Sequence, residues 1–172
     1  MTCSFFGHRD STENVYWYIL RISELLIEKF SVDTFYICDN GNFDRMAFLA
    51  MTEIERKYPH ITYRIVTAYM PNKMHRFEDA NSLLITYPEG LEYIPKPVAI
   101  PRRNRWMVDV SDIVIGCVKY PFGGAATAYG YAQKKNKICF NIAEPAAGDK
   151  RLTELWNNDF IIKHLLRDYQ IQ

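Results

Sequence analysis

Short apolar runs recur along the 172-residue chain, separated by longer stretches in which apolar positions return every three or four residues. The runs "TCSFF" (2–6), "TFYIC" (34–38), "ITYRIV" (61–66), "SLLITY" (82–87), "IVIGCV" (113–118) and "ICFNI" (138–142) read as buried strands. Between the first two, Tyr16, Ile19, Leu20, Ser23, Leu26, Ile27 and Phe30 form one stripe, predicting a helix from about Thr12 to Lys29. Phe43, Met46, Ala47, Ala50, Met51 and Ile54 mark a second helix that ends before Pro59. Pro101 suits the first position of a third helix. A fourth is expected from about Ala125 to Lys135, and a last amphipathic segment covers about 152–167. The stretch from Pro88 to Pro101 holds four prolines and no helical pattern. Irregular segments of that length in a compact domain are more often functional than idle.

Strands alternating with helices favour βαβ units. The expected fold class is α/β, a Rossmann-like three-layer α/β/α sandwich with a mostly parallel sheet. It forms one domain over residues 1–172, with the C-terminal helix packing on it. In such sheets ligands sit beyond the carboxyl ends of the strands, at the point where strand order reverses. The loops that follow the predicted strands are therefore where chemistry is sought.

Composition narrows the choice. Lys and Arg total 21 against 20 Asp and Glu, so no global basic field draws in nucleic acid, and any anion site must be local. The opening residues lack the apolar core of a secretory signal, and no apolar run nears the ~20 residues that span a bilayer. Cys3, Cys38, Cys117 and Cys139 lie in or at the end of predicted strands without CxxC spacing, which reads as buried, reduced thiols and a cytoplasmic location. His8, His60, His75 and His164 are scattered, so no metal site is expected, and no cofactor motif is present. There is no G-x-S-x-G elbow to support a Ser-His-Asp hydrolase.

Four loops carry the candidate chemistry. In "FFGHRDS", Gly7 permits a tight turn or a close backbone approach, and Ser11 or Thr12 can cap the following helix. His8 and Arg9 are then either anion ligands at a helix N-terminus or ordinary turn residues. In "CDNGNFDRMA", Asn40 and Gly41 form a turn over Phe43, and Asp44 either complements the helix dipole or contacts a ribose or Arg9. In "IPRRNRWM", Arg102, Arg103 and Arg105 fall in the first two turns of the Pro101 helix, where cations are disfavoured by roughly 0.3–1 kcal/mol each unless an anion sits nearby. Met107 shares a face with Arg103, and Trp106 offers a packing or stacking surface. In "KYPFGGAATAYGYA", Gly123 and Gly124 strip side chains from a strand-to-helix turn, leaving backbone N–H groups open to phosphate, and Thr127 adds a hydroxyl.

Taken in order, "SFFGHRD", "NGNFDRMA", "IPRRNRWMVDVSDIVI" and "GGAATAYGYA" resemble the YpsA-like proteins of the SLOG superfamily, over roughly residues 2–142. Close relatives of that family occur in Firmicutes and their phages. The resemblance implies a Rossmann-like fold and a site for nucleotides or nucleotide-derived ligands. Some superfamily members sense such ligands; the Lonely-guy branch hydrolyses nucleoside monophosphates at the N-glycosidic bond. Against that branch's pattern, Arg103, Met107 and Asp112 fit its Arg-Met-Asp part, and Gly123, Gly124 and Thr127 fit P-G-G-x-G-T-x-x-E. The third glycine is Ala126 and the closing catalytic glutamate falls on Gly130, while Cys38 stands where glycine is expected. Glu89, Glu92, Asp44 and Glu144 are the carboxylates that stand as replacements.

The expectation is a protein that binds a nucleotide or nucleotide-derived phosphate ligand through Gly7, His8, Arg9, Asn40, Gly41, Asp44, Arg103, Arg105, Met107, Gly123, Gly124 and Thr127. One alternative is a phosphoribohydrolase with a relocated acid. The other is a protein-interaction regulator whose pocket is vestigial. The partner is a small nucleotide-like molecule, with neither membrane nor nucleic acid. The adjacent Tyr16, Trp17 and Tyr18 offer a face for a homodimer.

Overall fold

A computed structural model describes residues 1–70 and 84–143. Six strands form one all-parallel sheet: β1 (Thr2–Gly7), β2 (Thr34–Ile37), β3 (Thr62–Val66), β4 (Ile85–Thr86), β5 (Ile113–Cys117) and β6 (Ile138–Asn141), in the order β4-β3-β2-β1-β5-β6. Four helices connect them: α1 (Val15–Phe30), α2 (Asn42–Lys57), α3 (Lys96–Asp109) and α4 (Gly123–Lys134). The chain runs outward from β1 through β2 and β3 to β4, then returns through α3 to β5 on the other side of β1. Strand order reverses between β1 and β5, and their carboxyl ends are Gly7 and Cys117.

The strand period of two divides the core. Cys3 and Phe5 of β1 join Phe35, Ile37, Ile113 and Ile115 under α1 and α2, whereas Phe6 and Val114 face α3 and α4 with Met107 and Val108. All six apolar positions that marked α2 are buried. In α1 the buried stripe is Val15, Ile19, Ile22, Ser23, Leu26 and Ile27; Tyr16, Leu20 and Phe30 lie at its edge, partly buried. The opposite layer is thinner: Ala125, Ala128 and Ala132 let α4 approach the sheet closely. A polar seam crosses the same layer, where Ser4 Oγ and Ser111 Oγ lie 2.6 Å apart and both hydroxyls reach the Met107 carbonyl.

Three expectations about elements need correction. Helix α1 starts at Val15 rather than Thr12, because Thr12 and Glu13 form a turn whose carbonyls accept from Val15 and Tyr16. The Ser11 hydroxyl donates back to the His8 carbonyl at 2.8 Å and so does not cap that helix. The stretch from Pro88 to Pro101 is not irregular: it contains a single 3-10 turn (Leu91–Tyr93) and the first turns of α3. Pro97 takes the early position that proline favours, and Pro101 lies inside the helix, where it lacks the N–H that would bond the Pro97 carbonyl. Residues 82–83 and the helix expected over 152–167 lie outside the described residues. No helix among the described residues is long and apolar enough to cross a membrane.

Candidate functional site

Helix α3 begins at Lys96, so Arg102 ends its second turn and Arg103 and Arg105 lie in its second half, all beyond the first turn. The dipole no longer disfavours them, and three different fates follow from the helical period. Arg103 falls on the stripe Ala99–Arg103–Met107 and is buried, its side chain 3% exposed. Its Nη1 donates to the Val66 carbonyl and, at 3.2 Å, to Asp39 Oδ1, tying α3 to the carboxyl ends of β2 and β3. Its Nε has no partner among the described residues. Burial opposes the guanidinium charge, but Cys38, Asp39 and Asp44 around it outweigh that and raise its pKa above the ordinary value. Arg105 points the other way, 5.7 Å above the Tyr131 ring of α4, and Arg102 is exposed.

The loops after β1 and β2 are stitched together. Asn42 N–H donates to the Arg9 carbonyl at 3.1 Å, and the Asn42 carboxamide donates to the Ser11 carbonyl at 2.7 Å. Gly7 is explained by packing: a Cβ there would lie 2.1 Å from Phe43 Cγ. Gly41 is the N-cap of α2 with φ +129°. Asp44, in the first turn of α2, is buried and accepts the Asn40 N–H at 2.8 Å. Burial pushes its carboxyl up to about 7, against the Asn40 N–H and the Arg103 and Arg9 charges, which lower it. Asp44 thus stands in the first turn of α2 with a carboxyl held toward its neutral form, and it also lines the cavity described next.

The loop after β5 closes the other side. The His8 N–H donates to the Cys117 carbonyl at 3.3 Å, and Tyr120 N–H donates to His8 Nε2 at 3.2 Å, which leaves the imidazole proton on Nδ1. Phe122 is the N-cap of α4 and supplies no side-chain cap. Gly123 has φ +90°, a backbone that only glycine adopts without strain, and its open face lies 4.0 Å from the His8 ring.

These loops enclose a cavity of about 460 Å³ over the carboxyl ends of β1 and β5, at the reversal of strand order. The sequence-predicted Gly7, His8, Arg9, Asn40, Asp44, Arg103, Gly123 and Gly124 all line it. Gly41 shapes the wall from behind, with Arg9 Cγ only 2.9 Å from where its Cβ would be. Three candidates are elsewhere. Met107 is fully buried, its Sδ 3.7 Å from Cys38 Sγ. Arg105 and Thr127 line a neighbouring cavity, and the Thr127 hydroxyl is occupied by the Gly123 carbonyl at 2.9 Å. Trp106 packs edge-on against Tyr36. Glu89 and Glu92 are exposed and do not line the cavity; Glu144 lies outside the described residues.

Two features escaped the sequence reading. Tyr120 and Phe122 stack on one another at the rim, ring centroids 5.5 Å apart and nearly parallel, with Phe122 69% exposed. An aromatic pair flanking a double glycine was the available signal. Asn104, buried beside Gly124, has a carboxamide oxygen without a partner among the described residues.

The fold of this chain is shared with a solved protein. The chain has the fold of DNA processing protein A from Streptococcus pneumoniae. The TM-score is 0.58 at 15% sequence identity, over 97% of this chain and 56% of that one. This chain thus spans little more than half of that protein's length. The likeness establishes the Rossmann-like fold that the sequence resemblance implied. No family model and no curated protein sequence matches the chain.

Proposed function

We propose that the cavity binds a nucleotide or nucleotide-derived phosphate ligand, with the phosphate at the N-terminus of α4 and the base toward the aromatic rim. The observation that carries this reading is the uncapped start of α4. Phe122 contributes no capping side chain, and Gly123, Gly124 and Ala125 present bare backbone to a cavity that also contains His8, Arg9 and the buried Arg103. Unsatisfied first-turn N–H groups and the helix dipole favour an anion there. The exposed Phe122 ring supplies an apolar face of the kind on which bases stack. Asp44, Asn40 and Asn104 are the polar groups within reach of a ribose. Arg103 acts by holding α3 against β2 and β3 and by setting the positive potential, since its Nη1 is already engaged.

A second reading is favoured by one observation. Asp44 lines this cavity with a carboxyl near neutrality, as a general acid requires. In an N-glycosidase, protonated Asp44 would donate to the leaving base while water attacks the sugar carbon. This would replace the acid that Gly130 lacks. Nucleic acid is the poorer ligand on charge, with 21 basic against 20 acidic side chains.

A thermal-shift screen against inorganic phosphate, nucleoside monophosphates and dinucleotides, with each mixture checked by mass, separates these readings. A ligand at ~100 times its dissociation constant adds ~2.7 kcal/mol to stability. A shift with ligand intact is the expected result. A shift with free base released, lost in Asp44→Asn, would transfer the assignment to the hydrolase. No shift with any of them overturns the nucleotide reading.

A further inference from the structure

Beside the first cavity lies a second, of about 510 Å³, between the outer faces of α3 and α4. The two share Ile100, Asn104 and Gly124, so they adjoin at the first turn of α4. Space at their junction is open: a Cβ added to Gly124 would meet only Asn104, at 3.8 Å. At Gly130, deeper in the second cavity, an added Cβ would meet nothing within 4 Å. Small-molecule sites commonly measure ~300–1,000 Å³, so either cavity alone is large enough for a ligand fragment.

The two cavities differ in charge. The first is mixed, with Arg9 and Arg103 set against Asp10 and Asp44. The second contains Arg105 and Lys134 and no carboxylate among its lining residues. Neither cation makes a salt bridge with a carboxylate among the described residues; Arg105 is instead held over the Tyr131 ring. Asn104 stands at the junction, 8% exposed, its carboxamide oxygen without a partner among the described residues. A buried amide left unsatisfied costs free energy, which a ligand hydrogen-bond donor at that point would recover.

We propose that the α3–α4 cavity is the second half of the ligand site and takes a second phosphate of the same molecule. The natural ligand is then a nucleotide carrying two phosphate groups, not a monophosphate. This rests on the nucleotide reading above. The first phosphate sits at the start of α4, the chain of the ligand crosses Gly124 beside Asn104, and the second phosphate lies between Arg105 and Lys134. Arg105 is a planar fork suited to such a group, and Lys134 adds a point charge.

The test compares calorimetric affinities for AMP, ADP and the linear dinucleotide pApA, the last two placing a second phosphate either next to the first or one nucleoside away. The adjacent phosphate of ADP stays beside the first turn of α4, which lies ~15 Å along the helix from Lys134, so pApA is the ligand that should bind roughly tenfold or more tightly than AMP, as two added charge-assisted contacts imply. Arg105→Gln combined with Lys134→Gln, both exposed positions, should reduce that ligand to the affinity of AMP. AMP binding as tightly as pApA, or a gain that survives in the double variant, overturns the proposal while leaving the nucleotide reading intact. Binding of none of the three overturns the nucleotide reading and the proposal together.

Discussion

Asp44→Asn should change how stability depends on pH, and the size of the change follows from where the carboxyl sits. Asp44 is 5% exposed, and burial lifts its pKa from an ordinary 3.8 to about 7 in the folded protein. Between those values the folded state holds a proton that the unfolded state has released. Unfolding then releases a proton, so the free energy of unfolding falls as pH rises through this window. About three tenfold steps separate the two values, each worth ~1.4 kcal/mol, so the carboxyl disfavours the folded state by roughly 4 kcal/mol once pH exceeds 7. Roughly 3 kcal/mol of that develops between pH 5 and 8. Asparagine keeps an oxygen to accept the Asn40 N–H and carries no charge at any pH. Urea denaturation of both proteins across pH 5–8 should therefore show the variant gaining on the wild type as pH rises. A stability difference that stays flat would mean that Arg103 and Arg9 keep the carboxylate ionised, and would refute the argument from burial.

Other substitutions test the remaining structure. Gly7→Ala would drive a methyl into the Phe43 ring and should cost about 1–3 kcal/mol or more in denaturation, with partial rescue by Phe43→Leu. Pro101→Ala supplies the N–H missing opposite the Pro97 carbonyl at an exposed site, so it should raise stability by about 1–2 kcal/mol after allowing for a freer unfolded chain. Gly123→Ala at φ +90° should strain the start of α4 by about 1–2 kcal/mol and weaken phosphate binding more than it weakens folding, as read by calorimetry beside melting curves. Ser111→Ala leaves Ser4 with only the Met107 carbonyl and should cost about 1 kcal/mol.

What could be read from the sequence divides along physical lines. Helix α2 was fully legible because its six apolar positions follow the helical period and nothing interrupts them. The switch-point cavity was legible because its walls are the loops after β1, β2 and β5, each marked by glycine, asparagine or charge. The start of α3 was not. Pro97 and Pro101 compete for the one early position that proline favours, and the exposed Lys96 and Val98 give the first turn no apolar stripe. That error carried the arginines with it. Yet Ala99, Arg103 and Met107 recur every fourth residue, and this spacing already put Arg103 on the buried face. The packing of Gly7 against Phe43 was not legible because Phe43 comes from a different βα unit, a contact that only the fold creates. The rim formed by Tyr120 and Phe122 was overlooked because aromatic residues beside a glycine turn read as core.

The bare N-terminus of α4 is where a nucleotide phosphate should bind. Amide proton–nitrogen correlation spectra recorded during titration with AMP address it residue by residue. The largest shifts should fall at Gly123, Gly124 and Ala125, accompanied by His8 and Asn104 and saturating at one ligand. Shifts centred away from this turn, or none at millimolar AMP, would contradict it.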